Sequence, residues 1–297
     1  MNLNFEKIQS YLSSIDKIEY KNGWMILYCE TEKYLYRKKG IKLDELFHYF
    51  ESISFFNYLM PLNSLDDDFV LYHYPNEVSL DEEEKGRRML FVLLSLEKKS
   101  IIQRELSIDE KKELYENICN DIEETVTYYL DLEKKILEFD FPPISYYVLL
   151  NNISQFYRLL DYSRYQLNRW YSSESNLYRE SFLVGDVSIN SFVFSDDTYL
   201  YGIDQWKRGC LLLDFLSFFK NNSSLPNIWE LFHSFQEELS LTKEELSLFY
   251  SLISIPEKIE FSHHSFIDTM ILHDYIQRLD SIEMFLSKEN EKNEKAD

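Results

Sequence analysis

Phe182-Leu183-Val184-Gly185-Asp186-Val187-Ser188-Ile189-Asn190-Ser191-Phe192-Val193-Phe194, with Gly202-Ile203-Asp204 shortly after it, is the most informative stretch of the sequence. Phe182 to Val184 reads as a short strand and Gly185 to Asn190 as a loop. Ser191 to Ser195 and Thr198 to Ile203 then read as two strands joined by Asp196-Asp197. A hairpin reverses the chain, so residues just before its first strand and just after its second lie at the same end. Asp186 and Asp204 are thereby expected to be neighbours, with Asn190 in the loop between them. Two carboxylates and an amide facing one space suit Mg²⁺ with a phosphate ligand. One carboxylate can also orient a hydroxyl nucleophile for phosphoryl transfer. The same spacing is met by a turn-capping Asp186 and a plain loop acid at Asp204.

The flanking sequence divides into a short sheet-rich part and a long helical one. Residues 15–39 read as a small antiparallel sheet: Ile15 to Tyr20, an Asn22-Gly23 turn of the strongest hairpin type, Trp24 to Glu30, and Tyr34 to Lys38. Leu43, Leu46, Phe47, Phe50, Ile53 and Phe56 follow at helical spacing, and Phe69 to Tyr74 is a short extended run. The acids Asp81 to Glu84 read as a solvated loop and helix start, where carboxylates suit the helix dipole. An apolar helix, Arg88 to Lys99, comes next. Ser107 with Glu110 forms a capping box for a long helix to about Phe139, and Pro142-Pro143 breaks it. A second long helix spans about Ser145 to Tyr171. Thr242 with Glu245 is a further capping box, and residues 288–297 read as a charged, disordered tail.

Composition narrows the chemistry. The chain has 297 residues, a formal charge of -21, 45% apolar residues, 23 Tyr and 22 Phe, enough for a large core. The acidic balance repels nucleic acid and anionic membrane, so neither is expected as a partner. Only six glycines occur, none spaced as G-x-G-x-x-G or G-x-x-x-x-G-K-[ST], which excludes Rossmann and Walker-type phosphate cradles. Three scattered cysteines write no disulfide framework or zinc site. Without an apolar leader or a spanning run, the expectation is a cytoplasmic protein. His263-His264 with His273 fits no common metal spacing, and the four tryptophans read as core or groove residues, Trp206 being the one expected to face a cleft.

The 182–194 stretch resembles the catalytic loop of the aminoglycoside and choline phosphotransferase superfamily, H-x-D-x-x-x-x-N followed by a strand. Gly202-Ile203-Asp204 is similar to its I-D segment, and Asp214-Phe215 to its downstream structural aspartate. Tyr34-Leu35-Tyr36-Arg37-Lys38 resembles the strand bearing its phosphate-contacting lysine. Within the superfamily, the sequence is closest in type to spore-coat kinase-like proteins (the CotS type). Leu94 to Ser100, Asn168-Arg169-Trp170-Tyr171 and Leu241 to Glu245 carry that likeness, together with Ile255-Pro256-Glu257-Lys258-Ile259.

The resemblance implies an α+β, protein-kinase-like fold with an N-lobe of residues 1–75 and a helical C-lobe of residues 76–287. It implies ATP and Mg²⁺ as cofactors, Asp186 as catalytic base, and Asp204 and Asn190 as metal ligands. Arg37 or Lys38 would contact phosphate, with Glu45 or Glu51 as the partner of that cation. The departures are equally specific. Val184 stands where the family has histidine, Ser191 where it has its metal-binding asparagine, and Leu96-Glu97 where an upstream helix has Leu-His. The turn at Lys21-Asn22-Gly23 is too short to cover a triphosphate. The leading expectation is therefore a degenerate kinase-like protein acting through binding, in a spore coat or other assembly, with coat or assembly proteins as partners. The alternative is an active ATP- and Mg²⁺-dependent kinase of a small hydroxylated metabolite. A third is an unrelated helical scaffold.

Overall fold

The computed structural model describes residues 8, 11–12, 14–21, 24–30, 32–38, 43–62, 69–185, 187–201, 207–262 and 264–296, the last four without their side chains. Asp186 and residues 202–206, which include Asp204 and Trp206, lie outside the described residues, as do Asn22, Gly23 and His263.

The architecture is α+β: a small antiparallel sheet with one helix, and then a mainly helical remainder holding one buried hairpin. Four strands, β1 (Lys17–Lys21), β2 (Trp24–Cys29), β3 (Glu32–Lys38) and β4 (Phe69–Tyr74), pair antiparallel in sequence order. In register, Met25 faces Tyr36 and Leu35 faces Tyr72. Side chains alternate across a pleated sheet, so Met25, Leu27, Cys29, Tyr36, Phe69 and Leu71 share one face. They bury it against Ile8 and Leu12. Trp24, Leu35, Arg37 and Tyr72 belong to the other face. Helix α1 (Leu43–Ser52) buries Leu43, Leu46, Phe47 and Phe50, the apolar positions of its 3.6-residue period.

The chain forms two compact units, Met1–Ile102 with Glu180–Asn227, and Gln103–Arg179 with Ile228–Asp297. Residue 75, where the sequence suggested a lobe boundary, falls inside the first unit. The reason lies in the segment after β4. The Val78 N–H donates to the Phe194 carbonyl at 3.0 Å. Arg88, on α2 (Glu82–Ser100), donates to the carbonyl of Ser195 at 3.0 Å. Both acceptors belong to the hairpin of β7 (Phe192–Phe194) and β8 (Thr198–Leu200) or its turn. Asp81 caps α2 by accepting from the Glu84 N–H, so the acidic run begins the helix. In the same unit β6 (Leu177–Leu183) pairs with β9 (Lys207–Cys210) from Glu180 onward, and α5 (Leu212–Asn221) follows.

The second unit is helical. Its α3 (Ile108–Leu137) and α4 (Ile144–Tyr171) form a helical hairpin. The capping box Ser107–Glu110 is present as the sequence indicates. Besides α3, α4 packs against α7 (Lys243–Ile253) and α8 (Ser265–Ala296). Trp229, on α6 (Ile228–Leu239), stacks on Phe285 of α8 at 4.2 Å. α8 continues through most of the stretch expected to be a disordered tail. Glu289 is buried and accepts from Lys292 at 2.9 Å, and Asn290 accepts from the Tyr162 hydroxyl at 2.9 Å. Those contacts hold the helix beyond residue 287. No helix among the described residues is long and apolar enough to cross a membrane.

Candidate active site

The site is built within the first unit, around the loop that follows β6. α5 holds this loop on both sides of residue 186. The buried Asp214 carboxylate accepts the backbone N–H of Val184 at 2.7 Å and of Gly185 at 3.0 Å. One turn later the Ser217 hydroxyl accepts the N–H of Val187 at 2.9 Å. Asn221 and Asn222 each donate to the Val187 carbonyl at 3.3 Å. Positions 214, 217 and 221 lie on one helical face, which is why a single helix can grip three successive parts of the loop. Gly185 has φ +96°, a left-handed conformation that L side chains rarely adopt. Burial lifts the Asp214 carboxyl to about 6, although the two N–H donors and the Lys207 charge pull it the other way.

Asn190 sits in a single 3-10 turn, Ile189–Ser191, with its side chain exposed. The Ser191 N–H donates to the Ser188 carbonyl at 2.9 Å, and the Ser191 hydroxyl accepts the Ser188 N–H at 3.4 Å. The Ser191 side chain, five residues after Asp186, is thus engaged in its own turn. Asn190 borders a cavity of about 290 Å³ whose other walls include Glu77, Lys85, Phe192, Phe194 and Tyr201. Tyr74 donates its hydroxyl to Glu77, which fixes that carboxylate at the rim. No group of three His, Cys, Asp or Glu among the described residues is placed to hold a metal. Asp186 and Asp204, the two carboxylates expected to meet, fall outside that statement.

Strand alternation separates the two cations of β3. Arg37 is on the face of Trp24 and Tyr72, and its guanidinium carbon lies 4.9 Å from the centre of the Trp24 ring. Lys38 is exposed on the other face. Trp24 itself packs on Tyr72 at 5.8 Å and edge-on to Tyr201 at 5.5 Å, all three rings being buried. Glu45 and Glu51 are exposed on α1, and neither forms an ion pair with Arg37. α1 reaches the loop region through Tyr49 instead. Its ring stacks on Phe182 at 5.3 Å, and its hydroxyl accepts from Arg208 at 3.1 Å.

Sequence reasoning passed over Arg208 and Ser217. Arg208 lies in a charged four-residue strand with no periodicity, and a serine inside an apolar helix carries no signal of its own. The Leu96-Glu97 departure proves to be structural. Glu97 is 0% exposed, with both carboxyl oxygens lacking a hydrogen-bond partner.

No family model matches the sequence, and no curated protein matches it either. Similarity is found at the level of the fold. An aminoglycoside phosphotransferase from Alicyclobacillus acidocaldarius has a TM-score of 0.62 at 9% identity, covering 92% of this chain and 89% of that one. The AMP-bound complex of spectinomycin phosphotransferase has a TM-score of 0.55 at 13% identity, covering 95% and 92%. A thermostable mutant of a further aminoglycoside phosphotransferase, in its apo form, has a TM-score of 0.51 at 10% identity, with 93% and 97% covered. The chain has the protein-kinase-like fold seen in these aminoglycoside phosphotransferases.

Proposed function

We propose that this chain is a degenerate kinase-like protein that acts by binding and transfers phosphate weakly or not at all. The observation that carries the reading is the packing of Trp24. Its indole fills the face of the sheet beneath Arg37 together with Tyr72 and Tyr201, and the guanidinium lies against it. A cation held over a ring is a weaker phosphate contact than one aimed into an open groove, because moving it forfeits about 0.5–2 kcal/mol. The departures at Val184 and Ser191 act in the same direction. Phosphoryl transfer rests on positioning and charge stabilisation, and each lost group of that kind lowers a rate on the order of 10²–10³-fold.

The cavity beside Glu77 and Asn190, at about 290 Å³, matches the low end of ligand pockets, roughly 300–1,000 Å³. Aromatic Phe192, Phe194 and Tyr201 with polar Glu77, Lys85 and Asn190 suit a nucleoside-sized ligand better than an extended triphosphate. AMP, the ligand of the solved spectinomycin phosphotransferase complex, is of that size. The resemblance to spore-coat kinase-like proteins supports an assembly setting with coat proteins as partners.

Thermal-shift titrations with AMP, ATP, and ATP with Mg²⁺ test this, since a ligand of the native state raises the apparent stability. A shift with AMP that Mg²⁺ does not enlarge, and no turnover of ATP against a panel of hydroxylated metabolites, is the expected result. ATP-dependent phosphorylation that Asp186→Ala abolishes would overturn it. That outcome would establish the second reading, a small-molecule kinase, which the grip of α5 on the 184–187 loop favours. In it Asp186 is the base, Asp204 and Asn190 hold Mg²⁺, and Arg37 contacts phosphate, with Lys38, Glu45 and Glu51 at the margin.

A further inference from the structure

Two carboxyl groups, those of Asp214 and Glu97, are buried close enough for the charge of one to act on the other, and they are treated very differently. Asp214 accepts two backbone N–H groups. Glu97, on α2, accepts none, and among the described residues it has no ion pair. The elements packed around it bring no cation to its carboxyl group. From its own helix the Ser100 hydroxyl turns to the Glu97 carbonyl at 3.4 Å and accepts the Phe182 N–H at 3.2 Å. From β6 comes Ser181, whose equally buried hydroxyl acts on the Glu97 carboxyl as its one donor, without reaching normal hydrogen-bond geometry. From α5 comes the charge of Asp214. From β9, Arg208 donates to the Ser100 carbonyl at 3.2 Å, while Lys207 acts on Asp214.

A buried carboxylate met by a single hydroxyl is too costly to keep ionised, and a second negative charge beside Asp214 compounds the cost. Above about pH 6, where Asp214 ionises, the proton therefore belongs on Glu97 and the charge on Asp214, where two donors meet it. Burial first, and the Asp214 charge second, hold the Glu97 carboxyl well above its usual range against the smaller pull of the Ser181 hydroxyl.

We propose that Glu97 is a positioning residue for the 184–187 loop and acts in its neutral, protonated form: it lets Asp214 carry the single negative charge that holds Val184 and Gly185. Ionising Glu97 in place would set two unshielded carboxylates together. The loop answers by releasing from Asp214 so that water can reach the pair.

Hydrogen exchange at the Val184 and Gly185 amides of the whole chain reads this directly, and it requires no nucleotide. It therefore stands or falls separately from the binding reading above. Glu97→Gln keeps the shape of the protonated acid but cannot ionise. Between the ordinary glutamate range and its raised value, the open loop is favoured tenfold per pH unit, the slope for one proton released on opening. Exchange corrected for its intrinsic pH dependence is thus expected to speed up about tenfold per unit above about pH 6, where Asp214 is ionised, in the natural protein relative to Glu97→Gln. The two proteins are expected to coincide at the acid end. A ratio that stays constant from pH 5 to pH 9 would show Glu97 to be a packing group only and overturn the proposal. So would failure of Glu97→Gln to fold, since the proposal holds that the neutral isostere suffices.

Discussion

The Arg37 guanidinium lies 4.9 Å from the centre of the Trp24 ring, on the sheet face that also carries Tyr72. This pairing makes one side chain the determinant of both local stability and access. Trp24→Ala removes a buried indole and its contacts with Arg37, Tyr72 and Tyr201, at a cost of about 3–5 kcal/mol in urea unfolding. The same variant opens the space beneath Arg37. If the protein still folds, its thermal shift with ATP is expected to exceed that of the natural chain.

Asp214 gives a pH dependence of definite sign. Its carboxyl is lifted from 3.8 to about 6, so the folded state binds the proton more tightly than the unfolded chain. Stability from this group is greatest below about pH 4 and falls as pH rises through about 6, by on the order of 3 kcal/mol. Asp214→Asn should remove that slope. Urea midpoints of the two proteins compared from pH 4 to pH 7 measure it.

Gly185→Ala isolates backbone strain. A methyl group there would meet nothing within 4 Å, so sterics contribute nothing, and only the left-handed φ of +96° opposes it. A loss of about 1–2 kcal/mol is expected in chemical denaturation.

In the helical unit, Arg179 donates to Glu245 through two nitrogens, one at 2.6 Å, and to the Leu239 carbonyl at 2.7 Å. Glu245 also accepts the Thr242 N–H at 2.9 Å as part of the cap of α7. The pair is nearly buried, with side-chain exposures of 13% and 9%. Glu245→Ala strands the guanidinium and loses half the capping box, for a predicted cost of about 3–5 kcal/mol. Ser107→Ala, at the exposed cap of α3, should cost only about 1 kcal/mol. Measuring both by urea unfolding tests whether burial separates them.

Features that depend on local chemistry were legible in the sequence. Both capping boxes, the hairpin about Asp196-Asp197 and the buried stripe of α1 follow from residue type and spacing alone. The β5 (Ile102–Glu105) and β9 strands are not legible, because Ile-Gln-Arg-Glu and Lys-Arg-Gly-Cys show no alternation and hold one β-branched residue between them, Ile102. They are strands because β6 offers an edge to pair with. The hold of Asp214 on Val184 and Gly185 was accessible only through resemblance, since no spacing rule links residues about 30 apart. The charge state of Glu97 was hidden for a further reason. A glutamate at the end of an amphipathic helix reads as solvated until its surroundings are known.

The grip of α5 falls on the main chain of residues 184, 185 and 187 and asks nothing of the side chain at 184. The side chain at 184 is accordingly an interchangeable part on a fixed mount. A histidine grafted at Val184 would ask little of the scaffold, whereas asparagine at Ser191 forfeits the hydroxyl that accepts the Ser188 N–H. The histidine graft would turn the chain into a host in which the separate contributions of a phosphotransferase loop can be added back one at a time.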